Sequence, residues 1–200
     1  MTVGTVLITG AGSIGSVLVR ELLKIGWTVK AFDIDEYSLS KLAALVSSAG
    51  LSGLENCLGD IKDKVDVELA VRDCDLIIHT AAVKMVDVSS LNPIPCIKTN
   101  VEGISNLINE AVRQETERFL FISSDKAVDF AGVYGATKFI GERLVLWANR
   151  LGTGQFSVCR FGNVIQSRGN VFEIWEQQKK YGEPITVTHQ EMERFFWNVR

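Results

Sequence analysis

The stretch from Thr5 to Gly15, Thr-Val-Leu-Ile-Thr-Gly-Ala-Gly-Ser-Ile-Gly, limits the possible folds more than any other part of the chain. Its first five residues form the short apolar run of a buried strand. Val17 to Leu23 repeats apolar residues at helical spacing. A strand, a glycine turn and a helix in that order let backbone N–H groups approach a pyrophosphate, whose charge is favoured at the helix N-terminus. Gly10, Gly12, Ser13, Ile14 and Gly15 are therefore the expected phosphate cradle. The glycine spacing alone is a common pattern, so its context carries the argument. A second strand, Trp27 to Phe32, ends at Asp33, about twenty residues past the glycines, where a carboxylate can bind adenosine ribose hydroxyls. Ile34, Asp35 and Glu36 follow, and a ribose 2′-phosphate would meet carboxylates there. NAD is expected over NADP.

The second informative stretch runs from Ser123 to Lys138. Phe119 to Ile122 reads as a buried strand ending in Ser123-Ser124-Asp125-Lys126, and ligands bind beyond the carboxyl ends of strands in open α/β sheets. Tyr134 and Lys138 are four apart in a helical segment, on one face and a turn apart. A free phenol titrates near pH ~10, and a neighbouring ammonium lowers that value, so Tyr134 is expected to take a proton from a hydroxyl. Alone, Tyr-x-x-x-Lys describes many solvated helices. Its position after a strand, with a dinucleotide turn elsewhere, favours an active site.

Between these stretches the chain alternates strands and helices. Helices are expected over residues 37–49, 65–71, 97–114 and 134–150, and further strands at Asn56–Gly59, Asp75–His79 and Phe156–Phe161. Lys84 to Pro95 reads as a loop. The alternation predicts a Rossmann-like doubly wound parallel sheet. Asp60 and Ile61, after the third strand, are candidates for the adenine edge, and the small residues Ala81 and Ala82 would let a cofactor pass close to the backbone. His79 reads as a hydrogen-bonded strand-end histidine, since no catalytic partner stands at recognisable spacing.

At 200 residues, 46% hydrophobic and 22% charged, the chain is long enough for one sizeable core. A net charge of −3 with no basic block points away from nucleic acid. Cys57, Cys74, Cys96 and Cys159 lack C-x-x-C or His spacing, so no metal site or disulfide framework is expected; buried thiols in a reducing cytoplasm are. No leader or membrane-spanning run is seen.

With these residues in hand the chain resembles the extended short-chain dehydrogenase/reductases, and within them the inverting UDP-N-acetylglucosamine 4,6-dehydratases of the polysaccharide-biosynthesis group. The resemblance runs through Gly59-Asp60-Ile61, His79 to Lys84, Lys98-Thr99-Asn100-Val101, Ser124 to Ala127, Tyr134 to Lys138, Arg160 to Val164, Ser167-Arg168-Gly169 and Thr188 to Phe196. It implies NAD or NADP as cofactor, with Lys84 and Asn100 added to the cofactor-binding residues, a UDP-sugar as substrate, and a homo-oligomer. Tyr134 would deprotonate the C4 hydroxyl, with Ser124 beside it and Lys138 tuning the phenol. Asp125 and Lys126 would eliminate water across C5 and C6, and Lys84, Asn163 and Arg168 would lie near the substrate. Both elimination residues reach one sugar only if the backbone turns at that point. Three departures stand out. The glycine motif is one residue shorter than usual, Gln166 replaces a small residue, and Gln190 stands where Pro is common. Residues 1–165 are expected to form the dinucleotide-binding domain and 166–200 the start of a substrate lobe that relatives continue, with the chain stopping at Arg200 inside a helix. Two other readings compete: a UDP-sugar 4-epimerase, which needs no elimination pair, and a dinucleotide-binding protein or fragment without turnover.

Overall fold

The structure, a computed structural model, describes residues 3–130, 132–165, 167–187 and 189–198. Six parallel strands form one sheet: β1 (Thr5–Thr9), β2 (Thr28–Asp33), β3 (Leu54–Leu58), β4 (Leu76–His79), β5 (Arg118–Ser124) and β6 (Gln155–Phe161), in the order β3-β2-β1-β4-β5-β6. This is the expected doubly wound sheet. Its strand order reverses between β1 and β4, where such sheets bind ligands. Val6, Leu7 and Ile8 of β1 have no exposed surface, because helices cover both faces of a parallel sheet.

On one face, α1 (Ser13–Lys24) and α2 (Glu36–Ser48) bury Val19, Leu23, Leu39, Leu42 and Val46 against Val6, Ile8, Val29 and Ala31. On the other, α3 (Lys64–Val71) and two later helices pack Ile104, Leu107, Ile108 and Val145 against Leu7, Ile77, Phe119 and Phe121. Asp35 and Asp63 start α2 and α3 by accepting hydrogen bonds from N–H groups of the first turn.

Several boundaries differ from the sequence reading. The region expected as a loop from Lys84 contains α4 (Val86–Leu91) and then α5 (Pro93–Ile97), which Pro93 opens at N1, where its missing N–H costs nothing. The single helix expected over 97–114 is interrupted. A π-helical turn at Lys98–Glu102 precedes α6 (Gly103–Arg113), and it accommodates the buried Asn100. β3 begins two residues earlier than expected. The helix expected over 134–150 is α7 (Val133–Asn149).

Beyond β6, β7 (Asn163–Ile165) pairs in parallel with β8 (Phe196–Asn198), and α8 (Val171–Tyr181) lies between them in sequence. The segment approaching Arg200 is thus strand through Asn198 where a helix was expected; Arg200 itself, like Gln166 and Thr188, lies outside the described residues. Gly162 permits this pairing, since a Cβ there would sit 2.7 Å from the Phe195 carbonyl oxygen. Of the four cysteines, Cys74 and Cys96 are buried as expected, whereas Cys57 and Cys159 are half-buried near the sheet edges.

Candidate active site

The glycine turn sits at the reversal point. Gly10 has φ +90°, and a Cβ there would meet the Ala81 N and the Thr80 hydroxyl at 2.9 Å, so the turn lies directly on the segment leaving β4. Thr80 ties the two strand ends together by donating to the Thr9 carbonyl at 2.8 Å. A Cβ on Gly15 would fall 1.8 Å from the Gly10 carbonyl oxygen, whereas one on Gly12 would meet nothing within 4 Å. The open side of the turn therefore faces away from the sheet, and no side chain caps the start of α1 at Ser13 and Ile14. Asp33 closes the arrangement, accepting from Ala11 N at 2.6 Å and Asp35 N at 2.9 Å. A shortened turn thus still presents free N–H groups and an adjacent carboxylate, and these residues fit the pyrophosphate and ribose of a dinucleotide.

Other expected cofactor residues are placed unevenly. Ala81 lies against Gly10 of the turn, and Ala82 follows it on the segment leaving β4. Asp60 ion-pairs with Lys62 at 3.2 Å, and Ile61 is a core residue packed against Gly103. The Asn100 side chain is engaged structurally: Oδ1 accepts from Val83 N at 2.8 Å, and Nδ2 donates to the Val83 carbonyl at 2.9 Å and to Thr137 Oγ1 at 3.0 Å. Lys84 donates to the Arg168 carbonyl at 2.7 Å, and Arg168 N donates to Ser13 Oγ at 3.0 Å. Residues 84 apart and 155 apart in sequence thus meet at the phosphate end of the turn.

A cavity of about 690 Å³ opens there, lined by Gly12, Ser13, Ser38, Lys41, Arg168 and Glu173 among others. Hydrogen bonds from Ser38 and the Tyr37 N–H, with Arg168 nearby, hold the Asp35 carboxyl below its ordinary value. Directly after Asp33, Ile34, Asp35 and Glu36 supply carboxylates and no cation. The fold adds two cations, Lys41 and Arg168, to the same neighbourhood.

At the end of β5 the backbone does turn. Asp125–Ala127 forms a 3₁₀ turn, capped by the Ser124 hydroxyl accepting from Lys126 N at 3.3 Å. The two side chains that a continued strand would send to opposite faces come together, with Lys126 Nζ 3.2 Å from Asp125 Oδ1 and 3.3 Å from Asn163 Oδ1. Ser124 donates to Asp125 Oδ1 at 2.9 Å. The helix carrying Tyr134 approaches closely because Gly135 has no side chain: a Cβ there would sit 2.3 Å from the Lys126 carbonyl.

Burial pushes the Tyr134 phenol up to about 12; its hydrogen bond with Ser124 pulls it down, and Asp125 pushes it up. The expected lowering by Lys138 is absent, for a geometric reason. Lys138 Nζ donates to the Ile122 carbonyl at 2.9 Å and lies 4.6 Å from the Phe121 ring centroid, tucked under the strand end. Burial pushes the Lys138 ammonium down to about 8, and the Glu142 carboxylate opposes that shift. His79 is a core residue, as its sequence context indicated: it shares a 2.7 Å hydrogen bond with Thr9 Oγ1 and stacks on Phe121 at 5.5 Å.

Sequence reading assigned no role to Thr137, Glu142 or Arg160. Glu142 is buried and takes hydrogen bonds from Ser123 at 2.6 Å and Arg160 at 2.6 and 2.8 Å. Its spacing four residues after Lys138 was a usable signal, as was a lone arginine in the apolar strand β6.

The helix carrying Tyr134 packed on β5, in a sheet whose glycine turn lies at the β1/β4 reversal, is the arrangement of the extended short-chain dehydrogenase/reductases. Comparison with known sequences narrows this. The chain belongs to the polysaccharide biosynthesis protein family, whose model matches residues 6–200. It is 41% identical over 98% of its length to an uncharacterized membrane protein of Methanocaldococcus jannaschii, and 35% identical over 96% to a UDP-N-acetylglucosamine 4,6-dehydratase (inverting) of Campylobacter jejuni. These matches span 59% and 58% of the two relatives. Among solved structures, Pen from Bacillus thuringiensis superposes with a TM-score of 0.93 at 32% identity, over 99% of this chain and 62% of Pen. No helix among the described residues is long and apolar enough to cross a membrane.

Proposed function

We propose that this chain carries the dinucleotide-binding and catalytic part of an NAD(P)-dependent nucleotide-sugar 4,6-dehydratase acting on UDP-N-acetylglucosamine. The observation that carries the reading is the 3₁₀ turn that brings Asp125 and Lys126 together beside Ser124 and Tyr134. A 4-epimerase has no use for such a pair, and the similarity to the Campylobacter dehydratase agrees with it.

Gly10, Gly12, Ser13, Ile14 and Gly15 would cradle the pyrophosphate, Asp33 the adenosine ribose, and Lys138 the nicotinamide ribose. A bound oxidised dinucleotide would supply the hydride chemistry between C4 and C6 of the sugar. Tyr134 takes the C4 hydroxyl proton, with the Ser124 hydroxyl held against it. The resulting ketone acidifies C5–H, which one member of the Asp125/Lys126 pair removes while the other protonates the departing C6 hydroxyl as water. Asn163 steadies Lys126, and Lys84 and Arg168 hold the phosphate end. Residues 166–200 belong to the substrate lobe. NAD is retained over NADP because Asp33, Asp35 and Glu36 outnumber the cations around the ribose. The free cysteines fit a cytoplasmic location. Leu146 and Trp147, 44% and 52% exposed on α7, fit an oligomer contact through that helix rather than a core role.

Proton NMR of UDP-N-acetylglucosamine incubated with the protein and NAD or NADP in deuterated water tests this. A C6 methyl signal with deuterium at C5 is expected, lost in K126M while cofactor binding persists. Cofactor binding with an unchanged sugar, or a C4 epimer without a methyl signal, would refute the dehydratase reading.

A further inference from the structure

α7 carries two buried formal charges of opposite sign one turn apart. Lys138 and Glu142 are each 4% exposed, and they are the only Lys, Arg, Asp or Glu side chains that fully buried among the described residues. Glu142 is held from two directions: Ser123 Oγ at 2.6 Å and Arg160 Nε at 2.8 Å reach Oε1, and Arg160 Nη2 at 2.6 Å reaches Oε2. Ser123 and Arg160 are register partners across β5 and β6. Ser123 also directly follows Ile122, whose carbonyl holds the Lys138 ammonium. One carboxylate therefore joins the two strand ends to the turn of α7 that presents Lys138. It also separates the adjacent serines: Ser123 serves this tie, and Ser124 faces Tyr134.

Lys138 is in surroundings that disfavour its charge. Burial is the largest influence on it, opposed first by Glu142 and then by Cys96. His79 on β4 is buried and neutral, its imidazole driven well below its ordinary value by burial first and Lys138 second. Cys96 on α5 is a buried thiol, and Tyr134 on α7 is a phenol raised by burial. Arg160 on β6 is a cation whose charge is directed at Glu142. The remaining carboxylate is Glu142, at the i,i+4 position that brings side chains together on one helix face.

We propose that Glu142 is a positioning residue for the Tyr134–Lys138 pair, fixing that turn of α7 to the ends of β5 and β6 and keeping Lys138 cationic in a buried site. This rests on the reading of Tyr134 and Lys138 as the reactive pair. Its test does not depend on turnover.

The 200-residue protein, labelled with 13C-lysine and with K138M for assignment, is titrated by NMR at the Lys138 Cε as wild type, E142Q, E142D and R160M. E142Q keeps the side-chain shape and removes the charge, and it moves the Lys138 midpoint down by about one unit or more. E142D retains a carboxylate and recovers most of that loss. R160M removes the strand tie but leaves the carboxylate, so the midpoint stays at or above the wild-type value. A folded E142Q with an unchanged midpoint would overturn the proposal, and so would E142D behaving like E142Q or R160M shifting downward as E142Q does. If E142Q does not fold, R160M decides alone, because Arg160 is itself half-exposed and its predicted sign differs. Failure to convert the sugar would remove the dehydratase reading and leave these titrations as they stand.

Discussion

Gly12 and Gly15 look equivalent in the glycine motif, yet the structure assigns them opposite consequences. In Gly15→Ala the new methyl would begin 1.8 Å from the Gly10 carbonyl oxygen and 3.3 Å from Thr80 Oγ1. That carbonyl must retreat by about 1.2 Å to reach the shortest tolerable contact, and it is backbone pinned against Ala81. Overpacking of this kind costs about 3 kcal/mol, the upper end of its usual range, and replacing glycine by alanine inside a helix returns about 1 kcal/mol. The net loss of about 2 kcal/mol lowers the melting temperature by roughly 4–8 °C in a domain of this size. Gly12→Ala meets nothing within 4 Å and stands at the N-cap, where alanine costs about 1 kcal/mol or less. Its effect falls on the ligand: the methyl occupies the open side of the turn, so dinucleotide affinity falls at least tenfold while melting changes little. Circular-dichroism melts of both variants and cofactor titration of Gly12→Ala check the pair. Gly15→Ala melting at or above wild type, or Gly12→Ala binding cofactor normally, would refute the placement of the pyrophosphate on the Gly12 side.

Arg160→Met leaves the buried Glu142 carboxylate without its ion partner; because Arg160 is 48% exposed the cost is about 1–2 kcal/mol, below the range for a fully buried pair. Arg160 and Ser123 hold the Glu142 carboxyl low against its burial, so the stability it contributes is complete above the unfolded carboxyl value of ~4.3 and is lost as pH falls through the lower folded value. The melting gap between wild type and Arg160→Met accordingly holds from pH 7 down to about pH 5 and narrows only as pH falls below about 4. Asn100→Leu strands the Val83 N–H and carbonyl inside the protein and costs about 2–3 kcal/mol, read as a lower melting temperature and faster amide exchange at Val83. Burial first, with Cys57, Asp75 and Asp73 opposing Lys30, pushes the Cys74 thiol up to about 12, so roughly one molecule in ten thousand carries its thiolate at pH 8. Iodoacetamide at that pH leaves Cys74 unmodified in the native protein and labels it after unfolding, as peptide mass mapping will show.

How far the sequence spoke depended on the distance over which each feature is set. The glycine turn, the acid ending β2, the apolar strands and the Tyr134–Lys138 spacing are local patterns. Each was legible, and together they fixed the sheet. The turn at Asp125 was a stated requirement, and Ser124 meets it by capping Lys126 N. What could not be read was long-range or depended on burial. The meeting of Lys84, Arg168 and Ser13 joins segments 84 and 155 residues apart. The π-helical turn answers to Asn100 reaching Val83 and Thr137, a demand invisible in a helical apolar pattern.

The Tyr-x-x-x-Lys spacing illustrates the limit most clearly, because it correctly placed two side chains on one face and wrongly implied a direct electrostatic link between them. Spacing fixes where a side chain starts. Depth and partners fix where its charge acts, and here the Ile122 carbonyl draws the ammonium beneath the strand end while Ser124 takes the phenol. The same distinction explains why Asp125 and Lys126, adjacent and therefore opposed in any regular strand, come to share one side of the site. Three residues of 3₁₀ backbone convert an alternating pattern into a convergent one, and the proposed elimination chemistry rests on that conversion rather than on the identity of the two residues alone.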